Sequence, residues 1–436
     1  MVVGFGTKRS FLFLQGLSTP FWLRLAKEME SRGHAVHRII LSGGDRVFWP
    51  KTGAVSYRGR FADWREFLGG FLHESGISDI ILFGDCRPYH RVAMALARSR
   101  GIAVHVFEEG YFRPQWITLE REGTNAFSSL PRDTASLLAE AAEIDSDNDA
   151  PPQQVSGGFA KRVLWEILNQ TATLALAPLY PHYRRHRSEH PVVEFGGWLK
   201  RLFRSPYERH YTERLSRYLL EIDRPYYLLP LQLETDYQIR RHSRFKSMAD
   251  VMEVVLESFA KSAPADSILL VKLHPLDNGL VNFREQARRI TRRLELHDRV
   301  FVMDGGHLPS LLSKSRGVVV VNSTTGLSAL HRERPVKVLG NALFDIAGLT
   351  FQGPLDSFWQ DESKPDIDLY RAFQRVVLAR AQVNGSFFTK AGMELAIEGA
   401  LARMDVVTAA SIVISRARPE AAKVAAAPKS AVLVNQ

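Results

Sequence analysis

Residues 77–110 read ISDIILFGDCRPYHRVAMALARSRGIAVHVFEEG and contain two short apolar runs on either side of a segment with helical periodicity. The runs at 77–83 and 103–107 have the length of buried strands, and 91–100 predicts a helix between them. A strand, a helix and a second strand in this order favour parallel pairing, because the helix can cross one face of the sheet. The stretch therefore predicts an α/β fold.

The same alternation extends toward the N-terminus. Residues 10–15 and 37–41 predict further short strands, with a helix at 20–32 between them. Ligands in doubly wound sheets bind outside the carboxyl ends of the strands, so the loops after these strands are the first candidates for a site. The candidate residues in these loops are Gln15, Gly16, Asp85 and Arg87.

A second alternating series begins after residue 222. It predicts strands at 226–232, 267–273, 300–303 and 317–321, with helices at 247–261, 282–294 and 309–315. Two such series predict an α/β protein with two doubly wound Rossmann-type domains facing a central cleft.

Changes in composition divide the chain into four segments. Residues 1–158 form the first α/β domain and end in an acidic linker that also carries proline and glycine, and 159–222 form a helical segment rich in basic and aromatic residues. Residues 223–404 form the second α/β domain, and the alanine-rich residues 405–436 are predicted to be a flexible tail.

The chain has 436 residues, a single cysteine at Cys86 and a formal net charge of +10. One cysteine forms no internal disulfide, no apolar run is long enough to span a bilayer, and residues 1–16 lack the pattern of a signal peptide. We therefore expect a cytoplasmic protein. The positive charge favours an anionic partner: nucleic acid, an anionic lipid surface or a phosphorylated sugar.

Two adjacent carboxylates, Glu108 and Glu109, follow the strand at 103–107. Neighbouring side chains of an extended segment point to opposite sides, so only one of the two can face a given ligand. A carboxyl group buried beside another has a raised pKa, which suits a general acid or base. The alternative is an ion pair with Arg113 or Arg87.

The strand at 226–232 is followed by polar residues that a ligand could reach. The sequence LLPLQLETDYQ at 228–238 places Gln232, Asp236 and Gln238 there. Capping of the next helix is the alternative role for Asp236.

The sequence VKLHPLDNG at 271–279 ends another strand. Lys272 and His274 lie on one face by the strand period of two, and Pro275 stops the strand. Two potentially cationic donors on one face suit a phosphate, and a structural histidine is the alternative.

The sequence VVVVNSTTG at 318–326 ends a third strand before a helical pattern resumes. Asn322, Ser323, Thr324 and Thr325 place hydroxyl groups near free backbone amides, which suits a phosphate or carboxylate, and an ordinary N-cap is the alternative. The chain contains no Walker or GxGxxG motif and no metal-ligand spacing, which argues against a kinase, a dehydrogenase or a metallohydrolase.

Basic and aromatic residues alternate between residues 182 and 218. This pattern suits a helix that lies in an anionic membrane interface, and a solvated helical face is the alternative. Because no nucleic-acid-binding motif accompanies the pattern, we do not expect a nucleic-acid partner.

Eight motifs extend over most of the chain. They are FLQGLSTPF (13–21), GHAVHRIILSGGDRVFWP (33–50), LFGDCRPYH (82–90), VFEEGYFRPQWITLE (106–120), PLQLETDYQ (230–238), KLHPLDNG (272–279), VNSTTGLSALHRERPVKVLG (321–340) and QVNGSFF (382–388). Together they closely resemble the bacterial capsule polysaccharide synthesis family, and within it the single-module KpsS/LipB type of β-Kdo transferase.

The resemblance implies a GT-B glycosyltransferase that transfers 3-deoxy-D-manno-oct-2-ulosonic acid (Kdo) from CMP-β-Kdo. The implied acceptor is lysophosphatidylglycerol or a related anionic lipid, to which the first β-Kdo of the capsule linker is added. Such a protein works peripherally on the inner face of the cytoplasmic membrane, with the companion two-module Kdo transferase and the capsule exporter as partners. Donor and product are both β, so the configuration is retained, most simply by two successive inversions.

The resemblance also implies the catalytic residues. Asp236 matches the nucleophile that attacks the anomeric carbon. One of Glu108 and Glu109 matches the acid/base that deprotonates the acceptor hydroxyl, with Glu109 preferred.

The donor-binding residues follow in the same way. Lys272 and His274, with Pro275, match the element that neutralises the CMP phosphate, and Ser323 and Thr324 match the hydroxyl element that holds this phosphate or the Kdo carboxylate. Because CMP carries one phosphate, these groups can replace a metal ion, and we expect neither a metal nor a cofactor.

Two other functions fit the same sequence. A non-catalytic component of capsule assembly would bind the glycolipid and pass it to the export machinery, and it would not need the catalytic carboxylates. A transferase of another nucleotide sugar would keep the fold and change the donor.

Overall fold

The computed structural model describes residues 8–144, 151–185, 191–221, 224–233, 243–275, 277 and 279–406. The strands are β1 (Ser10–Phe13), β2 (Ala35–Ile40), β3 (Val55–Ser56), β4 (Asp79–Phe83), β5 (Ala103–Glu109), β6 (Trp116–Arg121), β7 (Tyr226–Pro230), β8 (Ile268–Leu273), β9 (Val300–Asp304), β10 (Gly317–Val320), β11 (Val336–Val338) and β12 (Gln382–Asn384). The helices are α1 (Phe21–Ser31), α2 (Gly43–Val47), α3 (Trp64–Glu74), α4 (Pro88–Arg100), α5 (Thr134–Glu143), α6 (Phe159–Ala175), α7 (Pro191–Glu221), α8 (Met248–Ser262), α9 (Phe283–Arg293), α10 (Leu308–Lys314), α11 (Thr325–Leu330), α12 (Leu355–Phe358), α13 (Ile367–Ala381) and α14 (Lys390–Arg403).

The strands form two sheets, and the predicted pair of doubly wound α/β sheets is confirmed. The first sheet has the order β12-β6-β5-β4-β1-β2-β3, and the second has the order β11-β10-β7-β8-β9. The second sheet is parallel throughout. In the first, β1 to β5 are parallel, whereas β6 and β12 add an antiparallel edge that we did not predict.

Each sheet is covered by helices on both faces, because alternate strand residues point to opposite sides. In β1, Phe11 and Phe13 join the core shared with α1 and α14, whereas Leu12 joins the opposite core shared with α3 and α4. In β7, Tyr226 and Tyr227 likewise join the two separate cores of the second sheet. Burial of each such side chain contributes about 1.5–3 kcal/mol to the stability of the fold.

The chain returns to the first domain after α13, so the second domain does not extend to residue 404 as predicted. Strand β12 pairs with β6, and the Gln382 amide donates to the Thr118 hydroxyl (2.9 Å). Helix α14 then buries Met393 and Ile397 in the core of the first sheet. A three-residue strand carries too little periodicity to reveal this crossing in the sequence.

The predicted helical segment 159–222 divides between the two domains. Helix α6 packs on α2 of the first domain, with the backbone of Ala172 close to Gly43. The C-terminal half of α7 packs on the edge of the second sheet, where Thr212 donates to the carbonyl of Asp304 (2.6 Å).

No helix in the described ranges has the length and apolarity that crossing a bilayer requires. Of the predicted tail, residues 407–436 lie outside the described part.

Candidate functional site

The order of the first sheet brings the predicted polar loops to one edge. Strands β5, β4 and β1 are neighbours and parallel, so Glu108 near the end of β5 lies at the same edge as the loops that carry Asp85 and Gly16. The Arg87 guanidinium donates to the carbonyl of Gly16 (3.1 Å) and thereby links two of the loops. The edge of the first sheet therefore carries the carboxylates and an arginine side by side.

Glu108 is a carboxyl group of this edge whose pKa is raised into the neutral range. Burial raises its pKa to about 7, the neighbouring carboxylates of Glu109 and Asp85 add to the rise, and Arg87 opposes it. The backbone amide of Glu109 donates to the Glu108 carboxylate (3.1 Å). A group with this pKa exchanges a proton readily at neutral pH, as a general acid or base must.

Gly84 leaves room for the Glu108 carboxyl group. Its φ is 73°, in the region that favours glycine, and a Cβ there would lie 3.3 Å from one Glu108 oxygen. Any larger residue at this position would both strain the backbone and press on the carboxylate.

Glu109 forms the ion pair that we considered for the two carboxylates. Its carboxylate lies 2.9 Å from the Arg162 guanidinium and 3.7 Å from that of Arg113. The predicted partner Arg113 is therefore present, and Arg162 of α6 is the nearer one. Glu109 is thus ion-paired, whereas Glu108 beside it has the raised pKa.

Two other candidates at this edge hold the loops in position. The buried Asp85 carboxylate accepts hydrogen bonds from the amide (2.9 Å) and hydroxyl (3.3 Å) of Thr124. The buried Gln15 amide donates to the Tyr183 hydroxyl (2.8 Å) and to the Asp45 carboxylate (3.3 Å). Both side chains lie beside the site and support its shape.

A polar cavity opens between this edge and α6. Its walls come from the loop after β1, from α2 and from α6, and they include Gln15, Gly16, Arg87, Glu166 and Arg185. A second cavity lies between the two domains, where Tyr111 and Arg113 face Arg332 and Arg375 across it. This second cavity is lined by both domains and by arginine side chains from each.

The second sheet gathers the predicted donor-binding residues in the same way. Strands β10, β7 and β8 are neighbours, so the loops after them share one edge. The Gln232 amide donates to the Asn322 side-chain oxygen (2.8 Å), and the Asn322 backbone amide donates to Gln232 (3.3 Å). Lys272 is buried at the end of β8, and His274 follows it half-buried.

The hydroxyl element begins α11. The Ser323 hydroxyl accepts from the amide of Thr325 (3.2 Å) and donates to the Thr325 hydroxyl (3.1 Å). These two bonds stabilise the turn before the helix, and Thr324 is the residue that directly precedes α11. Pro275 is exposed directly after His274.

Asp236 and Gln238 lie outside the described residues, so their predicted roles stay predictions. Among the residues that the structure does describe, no group of three or more His, Cys, Asp or Glu side chains is arranged to hold a metal ion.

Sequence reasoning missed two residues of the first edge. Arg162 pairs with Glu109 across 53 positions of sequence, which no local pattern reveals. Glu120 on β6 accepts from the Tyr111 hydroxyl (3.0 Å) and from Ser128, and burial raises its pKa to about 7. The apolar run WITLE at 116–120 was the available signal for β6.

Comparison with known proteins finds similarity to proteins of capsule polysaccharide biosynthesis. The model of the family described as "Capsule polysaccharide biosynthesis protein" matches residues 78–388. The capsule polysaccharide export protein KpsS of Escherichia coli is 36% identical over 87% of this chain and 97% of its own length. The capsule polysaccharide modification protein LipB of Neisseria meningitidis is 35% identical over 87% of this chain and 92% of its own.

Among solved structures, KpsC of Thermosulfurimonas dismutans, described as a beta Kdo 2,7 transferase, aligns with 91% of this chain and 99% of its own. The sequence identity is 15% and the TM-score is 0.39, so the two structures are only distantly similar.

Proposed function

Because this chain belongs to the capsule polysaccharide biosynthesis protein family, we propose that it is a retaining β-Kdo glycosyltransferase. It transfers Kdo from CMP-β-Kdo to lysophosphatidylglycerol or a related anionic lipid, and so begins the linker of a capsule polysaccharide. The observation that carries the proposal is the contrast between the adjacent residues Glu108 and Glu109: the pKa of Glu108 is raised to about 7, whereas Glu109 is ion-paired with Arg162.

In the proposed mechanism the donor lies on the second domain. Lys272, His274 and the hydroxyl element at Ser323 neutralise the CMP phosphate. The Asp236 carboxylate attacks the anomeric carbon and forms a glycosyl-enzyme bond, while the bond to the phosphate breaks and CMP leaves. Since phosphate is a good leaving group stabilised by these donors, the mechanism uses no metal and no cofactor.

The second step uses the first domain. The acceptor hydroxyl attacks the same carbon, displaces the Asp236 carboxylate and loses its proton to a base. We assign this base to Glu108 instead of the preferred Glu109. A pKa of about 7 lets Glu108 accept the proton at neutral pH, whereas Glu109 is held as the partner of Arg162. Two inversions restore the β configuration.

The positive net charge of +10 supports anionic substrates and an anionic surface. We place the protein peripherally at the inner face of the cytoplasmic membrane, where the lipid acceptor and the nucleotide donor meet. Its partners there are the companion two-module Kdo transferase and the capsule exporter.

Release of CMP tests the proposal. Purified protein is incubated with CMP-Kdo in the presence and absence of lysophosphatidylglycerol, and free CMP is measured. We expect CMP release that depends on the lipid. Folded protein that releases no CMP with any lipid acceptor would contradict the proposal.

A non-catalytic role in export is the second candidate, favoured by the name of the Escherichia coli relative, capsule polysaccharide export protein KpsS. Such a protein would bind the finished glycolipid and would leave CMP-Kdo unchanged. The same measurement therefore separates the two functions.

A further inference from the structure

Helix α6 presents an apolar face to the outside of the protein. Phe159, Leu164 and Ile167 are 61%, 62% and 54% exposed. Three more large apolar side chains of the helix are also exposed: Val163, Leu168 and Leu174. A surface helix of a soluble protein normally buries its apolar face against the core. Helix α6 packs Trp165 and Ala172 inward, but most of its large apolar side chains face outward.

The polar face of α6 points inward and attaches the helix to the first domain. Arg162 pairs with Glu109 (2.9 Å), and Glu166 accepts a hydrogen bond from the Ser18 hydroxyl (2.8 Å) in the loop after β1. Asn169 and Gln170 line the polar cavity beneath the helix. These polar contacts, together with the packing of Trp165 and Ala172, attach the helix, and the outward apolar face is left exposed.

The exposed charged side chains of residues 159–185 are basic. Lys161 on α6 and Arg184 beyond it are exposed, and Glu166 is the one acidic residue between positions 159 and 185. Glu166 is half-buried and bonded to Ser18, so no carboxylate of this segment is exposed. The apolar surface also continues beyond the helix to Leu179, which is 46% exposed.

We propose that the outward face of α6 docks the protein on an anionic lipid bilayer. An exposed apolar face bordered by cations matches the interface between acyl chains and anionic headgroups. With 17 residues, α6 is roughly 25 Å long and lies along the interface. A second copy of the chain is a poorer occupant, because a twofold contact would bring the same cations of both copies together.

The position of the docking face has a consequence that rests on the proposed function. The same helix lines the polar cavity and contacts Glu109, so docking places the edge of the first sheet directly behind the membrane-facing helix. A lipid acceptor can then present its headgroup hydroxyl to Glu108 while its acyl chain stays in the bilayer.

A matched pair of variants tests the docking face. The triple variant Leu164→Gln, Ile167→Gln and Leu168→Gln removes the apolar face and keeps good helix formers. The control Phe127→Gln with Leu138→Gln removes apolar side chains that are exposed elsewhere, at 61% and 48%. Flotation with phosphatidylglycerol vesicles and with phosphatidylcholine vesicles measures binding.

We expect the triple variant to bind phosphatidylglycerol vesicles about tenfold or more weakly than the parent, since it lacks three apolar side chains that docking would bury in the bilayer, and the control to bind like the parent. Circular dichroism checks that both variants are folded. A folded triple variant that binds phosphatidylglycerol vesicles as tightly as the parent overturns the proposal. The proposal also fails if the parent is a dimer and the triple substitution makes it a monomer while vesicle binding stays the same.

A fluorescent label gives a second, independent readout. Cys86 is buried and is the single cysteine, so Ile167→Cys and Leu138→Cys can each be labelled selectively with a polarity-sensitive dye. We expect phosphatidylglycerol vesicles to shift the emission to the blue at position 167 and not at 138. No shift at 167, or an equal shift at both, contradicts docking by α6. If docking is observed and CMP release is not, the proposed function fails and the docking face stands.

Discussion

Arg162 of α6 lies 2.9 Å from Glu109 at the end of β5, so the helix with the exposed apolar face is attached directly to the carboxylate edge of the first sheet. The ion pair also separates the roles of two adjacent carboxylates. Glu109 is ion-paired with the arginine, whereas desolvation raises the pKa of the half-buried Glu108 to about 7. The assignment of the base depends on this contrast.

The variant Glu108→Gln should lower the transfer rate by roughly 10²–10⁴-fold, the usual contribution of a general base. In the parent, activity should rise as the pH increases through about 7, because the base acts only when its carboxyl group is deprotonated. This rise should disappear in Glu108→Gln.

The matched variant Glu109→Gln should keep the rise and move it to lower pH, since the carboxylate that raises the pKa of Glu108 is removed. Rates measured from pH 5.5 to 8.5 at saturating donor check both variants. Loss of the pH-dependent rise in Glu109→Gln alone would return the role of base to Glu109.

The same pKa predicts a change in stability. The folded protein keeps the Glu108 proton up to about pH 7, whereas the unfolded chain releases it near pH 4.5. This group therefore lowers the free energy of unfolding progressively as the pH rises from 4.5 to 7. Glu108→Gln should therefore be about 1–3 kcal/mol more stable than the parent at pH 8 and nearly equal to it at pH 4.5. Urea unfolding at the two pH values measures the difference. A variant that gains nothing at pH 8 would show that the raised pKa is absent.

His274→Ala should weaken both CMP binding and turnover. A phosphate contact acts in the ground state and strengthens as the leaving group gains charge. His297→Ala, at an exposed histidine beside α9, is the matched control and should bind CMP like the parent. Titration calorimetry with CMP gives the affinities. Unchanged affinity in His274→Ala would remove this residue from the donor site.

Chelation should leave activity unchanged. A donor with one phosphate has less charge to neutralise, and the proposed mechanism assigns that task to Lys272, His274 and the hydroxyl element. CMP release is measured with and without EDTA after the protein has been dialysed against it. Activity that EDTA abolishes and added magnesium restores would contradict the metal-free mechanism.

Much of the fold could be predicted from the sequence because buried parallel strands are short apolar runs separated by helices. The strand that ends at Glu109 and the strand that ends at Leu273 were both predicted within two residues. Strands β6 and β12 were missed, because β6 follows β5 without an intervening helix and β12 has only three residues.

The candidate site was predicted in part. The loops that carry Gln232 and Asn322 follow β7 and β10, which are neighbours in the second sheet, whereas Glu108 lies near the end of β5 in the first sheet. The strand order is required to show which of these residues share an edge. The sequence did not indicate that Arg162 pairs with Glu109, because the partners come from distant segments. Helical periodicity predicted α6 but could not show which face of the helix the protein covers.

The product of the reaction tests the central claim most directly. The protein is incubated with CMP-Kdo and a fluorescent lysophosphatidylglycerol, and the lipid product is analysed by mass spectrometry and by NMR of its anomeric centre. We predict a lipid that has gained Kdo in the β configuration, and no such lipid with a folded Asp236→Ala variant that still binds CMP. A lipid that gains no Kdo, a product in the α configuration, or full activity of Asp236→Ala would contradict retaining Kdo transfer through Asp236.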